Sequence, residues 1–200
     1  MWVRANHLSG VSDIDAGVTS MRDKVLPICT EQKGFKGITA SANRGAGTIG
    51  VLTMWETRAD LEASESAVST QRSETVAETG GTVKVSVMEQ LAEGIGSSFP
   101  EVGNTVVVTS IKMEPSTIDE QVQFFTSTVM PDMQSQPGFC ACRFMIDRTS
   151  GEGIVGVVWT DDAAAHAGDE HAADRRQRAK EHGVELGEPD FRELIFAAMP

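Results

Sequence analysis

The chain has 200 residues, 40% hydrophobic and 23% charged, an ordinary balance for a globular protein, and its formal net charge is −12. That acidity offers no basic footprint for phosphates, which argues against nucleic acid and against anionic membrane surfaces as partners. The opening MWVRANHLSG lacks the pattern of a secretory signal, no apolar stretch approaches the ~20 residues of a spanning helix, and three cysteines are an odd count for a disulfide framework, so a reducing cytoplasm is expected.

Trp2 to Leu8 reads as a first strand. Ser12 with Asp15 gives a capping-box-like helix start, and Ile14, Val18, Met21, Val25 and Ile28 then share one helical face. Pro27 falls late in this helix, where its missing N–H and its ring predict a kink or a tightened turn. Gly34 stops the helix. Phe35 to Asn43 and Thr48 to Trp55 read as a hairpin around Arg44-Gly-Ala-Gly47. A more polar helix from Ala59 to Thr79 and a strand from Thr82 to Leu91 follow. After a linker over residues 93–103 the order recurs: a strand from Thr105 to Met113, a helix led by Ser116 and Asp119, and a hairpin around Arg148-Thr-Ser-Gly151. A helix from Ala163 to His182 and a strand from Phe191 to Ala198 end the chain.

Pro27, Gln32, Gly34, Phe35, Arg44, Gly47 and Trp55 recur as Pro131, Gln136, Gly138, Phe139, Arg148, Gly151 and Trp159, each 104 positions on (159 − 55 = 104). The comparison is made without a gap, and the chain reads as two copies of one unit, residues 1–92 and 104–200. Strand–helix–strand–strand–helix–strand is the split βαβ, or ferredoxin-like, arrangement. Its sheet carries both helices on one face and leaves the other to be covered. The expected class is therefore α+β, two ferredoxin-like repeats whose antiparallel sheets pack into an intrachain α+β barrel.

A bent helix, the pair Gly34-Phe35 and a hairpin strand ending Leu52-Thr-Met-Trp-Glu-Thr together resemble the antibiotic biosynthesis monooxygenase family of dimeric α+β barrels, over both copies nearly end to end. In that family two chains pair their sheets; the tandem is similar to a fused dimer, which leaves a further homodimer open. The resemblance implies one small-molecule pocket per unit, between helices and sheet. It leaves open a cofactor-independent monooxygenase of aromatic or quinol-type compounds, a haem-degrading enzyme, and a non-catalytic ligand-binding or stress-associated protein. The haem-degrading branch has an Asn on the first strand and a Trp and a ligating His on the second helix. Asn6 matches the Asn, but the other two positions hold Ser64 and Ser73 in one copy and Gly168 and Gln177 in the other, so haem has no axial ligand.

Cofactor-free oxygenation needs a dry aromatic-sized cavity, a group that takes a proton and donors for a developing oxyanion. Asn6 and His7 are the catalytic candidates and Arg4 a substrate-binding one. Neighbours on a strand point to opposite faces, so Asn6 and His7 cannot line one pocket; the family's position assigns it to Asn6. The second copy places Ser110 and Ile111 there and is chemically poorer, which predicts that the first site is the active one. Trp55, Trp159 and Ser110 complete the substrate-binding candidates, although a Trp that ends a hairpin strand more commonly packs the core. Arg44 and Arg148 are expected to be solvated or ion-paired. Asp162, His166 and Glu170 share a helical face as solvated helices often do, and Cys140-x-Cys142 has no second pair, so neither metal nor cofactor is expected. The expected partner is an apolar or aromatic small molecule.

Overall fold

The computed structural model describes residues 1–199. It divides into two units, Met1–Val87 with the last strand from Glu193, and Met88–Arg192. The first contains β1 (Trp2–Ser9), α1 (Ile14–Ser20), a π-helical turn (Met21–Val25), α2 (Leu26–Thr30), β2 (Phe35–Asn43), β3 (Thr48–Trp55), α3 (Arg58–Ala63), α4 (Glu65–Thr79) and the start of β4 (Thr82–Ile95). The second contains β5 (Thr105–Lys112), α5 (Ile118–Phe124), a π-helical turn (Phe125–Val129), α6 (Met130–Gln134), β6 (Phe139–Ile146), β7 (Glu152–Trp159), α7 (Asp162–His171), α8 (Ala173–Glu181), β8 (Glu185–Leu186) and the start of β9 (Asp190–Ala198).

The helix start differs from the expectation at Ser12. Asp13 caps α1, its carboxylate accepting the Ala16 N–H at 2.8 Å, and the Ser12 hydroxyl donates to the Thr79 carbonyl. A carboxylate caps as well as a hydroxyl does and adds its charge to the positive helix end. Pro27 does not tighten the helix either. The turn just before it widens into a π turn, and the same happens before Pro131. A wider turn relieves the contact between the proline ring and the carbonyl one turn back.

In each unit a hairpin strand is central to an antiparallel sheet. β3 lies between β1 and β2, with Arg4 opposite Thr53 and Phe35 opposite Trp55. β7 lies between β5 and β6, with Val107 opposite Val157 and Phe139 opposite Trp159. The outer partner of β2 is β9, Ile38 facing Ala198, and the outer partner of β6 is β4, Glu89 facing Ile146. Strand β4 has 14 residues against the eight of β1, so it outlasts that neighbour and its second half satisfies its backbone groups elsewhere. It reaches Ile95, inside the segment read as linker, and pairs Glu93 with Arg143.

Helices cover one face of each sheet. Leu8, Met21, Trp55 and Leu61 pack in the first unit; Ile111, Phe125, Trp159 and Ala165 pack in the second. Phe35 meets Trp55 edge-on at 5.4 Å and Phe139 meets Trp159 at 5.8 Å. The hairpin arginines are ion-paired alike. Arg44 holds Asp15 and Glu193 at 3.0 and 3.1 Å; Arg148 holds Asp119 and Glu89 at 2.9 and 2.8 Å. Gly151 closes its turn at φ 70°, where a Cβ would stand 1.8 Å from the Met113 carbonyl oxygen. Among the described residues no helix is long and apolar enough to cross a membrane.

Candidate functional site

Arg4 leaves β1 toward the helices and is 2% exposed. Its guanidinium donates to the Leu61 carbonyl at 2.6 Å and to Ser64 Oγ at 3.1 Å, and it pairs with Glu65 at 3.0 Å. It also lies 5.8 Å from the centre of the Trp55 ring, whose N–H donates to Thr53 Oγ1. Burial lowers the Arg4 pKa and Glu65 opposes that shift. Arg4 therefore fills space between helices and sheet in the first unit. Asn6 Oδ1 is buried and makes no hydrogen bond among the described residues, while His7, the next residue, is exposed.

The second unit carries no arginine there. Arg4 faces Thr53 across its ladder and Val107 faces Val157, and 157 − 53 is 104. Val107 thus holds the place of Arg4, an offset of 103 (107 − 4). The gap-free comparison is out by one residue on this strand. Thr109, opposite Val155, corresponds to Asn6, opposite Val51; Ser110 corresponds to His7. A one-residue slip exchanges the two faces of a strand. Ser110 is exposed, and its carbonyl accepts the Gly187 N–H at 2.9 Å.

Where Arg4 fills the first unit, the second has a cavity of ≈ 150 Å³ between the helices and the face of β5, β6 and β7. Three smaller residues open it: Val107 for Arg4, Ala165 for Leu61 and Gly168 for Ser64. Some bulk returns on the sheet, where Phe144 stands for Ala40. Gly168 is required by Trp159, because a Cβ there would stand 2.4 Å from the ring. Trp159 lines the cavity and is 3% exposed. Its N–H has lost the threonine acceptor, Val157 replacing Thr53, and no hydrogen bond takes its place among the described residues.

The polar wall is small. Arg176 pairs with Asp169, repeating the Arg72–Glu65 pair of the first unit, and burial lowers the Arg176 pKa. Arg175 pairs with Asp132, which also meets His171 at 3.4 Å. Both cations of the wall are thereby neutralised. Gln121 is 7% exposed and donates from Nε2 to the His182 carbonyl at 3.3 Å. A carbonyl accepts only a donor, so the amide orientation is set, and Oε1 is left without a partner among the described residues.

The nominated residues thus separate. Arg4, Asn6 and Trp55 lie in the first unit, Trp159 lines the second unit's cavity, and Ser110 and His7 are exposed. His166 stacks on Phe191 at 4.3 Å, and among the described residues no three His, Cys, Asp or Glu side chains stand together as a metal site. The three cysteines are free and buried. Sequence reading missed Val107, Gln121, Arg175 and Arg176. One signal was available: Gly168 interrupts a helix, which costs about 1 kcal/mol relative to alanine and asks for a packing reason.

No protein-family model matches the chain. An uncharacterized protein of Mycobacterium tuberculosis is 28% identical over 200 residues, covering 98% of this chain and 88% of its own. A solved structure of a candidate monooxygenase from Fusobacterium nucleatum gives a TM-score of 0.72 at 12% identity, over 99% of this chain and 94% of its own. An anthrone oxidase-like protein gives 0.69 at 15%, over 99% and 92%. At such identity the likeness is one of fold, the α+β fold of proteins related to antibiotic biosynthesis monooxygenases.

Proposed function

We propose that the chain binds an apolar or aromatic small molecule in the cavity of its second unit and oxygenates it there without a cofactor. The observation that carries this reading is the cavity itself, apolar over most of its wall and lined by a tryptophan. The substrate class is aromatic or quinol-type. Such a molecule, once deprotonated, passes an electron to O₂; for hydroquinone the balance is C₆H₄(OH)₂ + O₂ → C₆H₃(OH)O₂ + H₂O, every electron coming from the substrate. Asp169 is the lining carboxylate that takes the proton, and the unpaired Trp159 N–H is a donor for the developing oxyanion. In this reading Arg4 makes the first unit a scaffold, and Asn6 and His7 stand outside the reaction.

A second reading, a non-catalytic ligand-binding protein, is favoured by one observation. Asp169 is already engaged by Arg176, which competes with a substrate proton for its oxygens. Oxygen uptake with hydroquinone distinguishes the two, measured on the whole chain and on Val107→Arg, which imports the side chain that fills the first unit. Uptake in the parent and its loss in the variant are expected. Uptake unchanged by the variant overturns the site, and ligand binding without uptake leaves the second reading.

A further inference from the structure

We infer that the second unit's cavity selects a neutral, single-ring hydroxyarene such as phenol or hydroquinone, whose hydroxyl donates to Gln121 Oε1. This rests on the proposed role of the cavity as a ligand site and specifies what it takes. Three observations converge.

The first is size. The cavity measures ≈ 150 Å³, and an apolar cavity of about 150 Å³ admits one benzene ring. A fused polycyclic ligand exceeds that volume and would stand partly outside it. The second is hydrogen bonding. Gln121 presents an acceptor and Trp159 a donor from side chains more than nine-tenths buried, and neither atom has a partner among the described residues. Both atoms retain accessible surface, so the amide oxygen can take a donor that a ligand brings. A hydroxyl gives its proton to the amide oxygen. A plain hydrocarbon supplies no such donor. The third is charge. Arg175 and Arg176 are each engaged by a carboxylate, Asp132 and Asp169, so no cation is left over for an anionic ligand. A carboxylated ring would enter an apolar cavity with its charge unpaired, which is costly.

The test is calorimetric titration of the whole chain with phenol, toluene, benzoate and 1-naphthol, repeated with Gln121→Met. Phenol is expected to bind about tenfold more tightly than toluene, the worth of one net hydrogen bond in a buried site. In Gln121→Met the two should bind alike, with toluene affinity close to that of the parent, which shows that the variant is folded and its cavity open. Benzoate is expected to bind more weakly than phenol. Equal affinity for phenol and toluene in the parent, a preference that survives Gln121→Met, or tighter benzoate overturns the inference. Binding of 1-naphthol without phenol overturns the single-ring class and leaves the cavity as a ligand site. Binding by none of the four overturns both.

Discussion

Replacing Arg4 with valine makes the first unit resemble the second at the position that distinguishes them. The guanidinium loses contacts with the Leu61 carbonyl, Ser64 and Glu65. None of these groups is stranded, because the Ser64 hydroxyl already donates to the Leu61 carbonyl at 2.7 Å and Glu65 keeps Arg72. The cost should therefore fall below the ~3–5 kcal/mol of a buried pair broken on one side. A void equal to the second unit's ≈ 150 Å³, at about 24 cal/mol per Å³, sets a ceiling of about 3.6 kcal/mol. The valine side chain, and the end of the burial penalty on the charge, bring the expected loss to about 2 kcal/mol. Urea unfolding monitored by tryptophan fluorescence should show a lower midpoint with an unchanged slope, and phenol titration should show a second binding event. A chain that fails to fold would mean that the Arg4 bonds hold the first unit together. Unchanged stability with no new binding event would mean that Arg4 does not occupy the equivalent of the cavity.

Gly151→Ala should destabilise by about 2–4 kcal/mol in urea unfolding, since the left-handed backbone penalises a Cβ and the Met113 carbonyl blocks it; a loss under about 0.5 kcal/mol would refute the turn argument. Burial pushes the Cys29 and Cys142 thiols up to about 11, so a disulfide reagent at mildly alkaline pH should label neither in the native chain and both in denaturant. Glu65 titrates below its ordinary 4.5, first because Arg72 donates to it, so its contribution to stability is present above that value and is lost as pH falls through the lower folded pKa. In Arg72→Met that acid-side loss should flatten in a stability–pH series; an identical slope would remove Arg72 as the cause. Arg148→Ala breaks ion pairs that are half exposed and should cost only about 0.2–1 kcal/mol, less at high salt.

Much of the scaffold was legible because it is local. Helical spacing of apolar residues and the hairpin turns depend on near neighbours, and each recurs across 104 positions. The ion-paired arginines followed from the same repetition, with Asp15 and Asp119 a constant distance upstream of Arg44 and Arg148. At Pro27 the crowded turn opened instead of tightening. Asn6 was assigned to the helix-facing side on the family's position; the cavity described above belongs to the second unit, whose residues at the matched positions had looked chemically poor.

The sequence by itself determined the strand and helix order and the α+β class, because periodicity of two or 3.6 is written in adjacent residues. Tertiary structure decided three further things. It set the register of the first strand against its hairpin, so that Val107 and not Val108 replaces Arg4. It assigned the outer strands, giving β9 to β2 and β4 to β6. It also opened a cavity in the helix–sheet space of the second unit, where the first holds Arg4. The physical reason is common to all three. Register is set by cross-strand pairing, and a void is the difference between large volumes contributed by side chains from separate elements. Three smaller side chains, one of them placed by a one-residue shift, open the second unit's cavity.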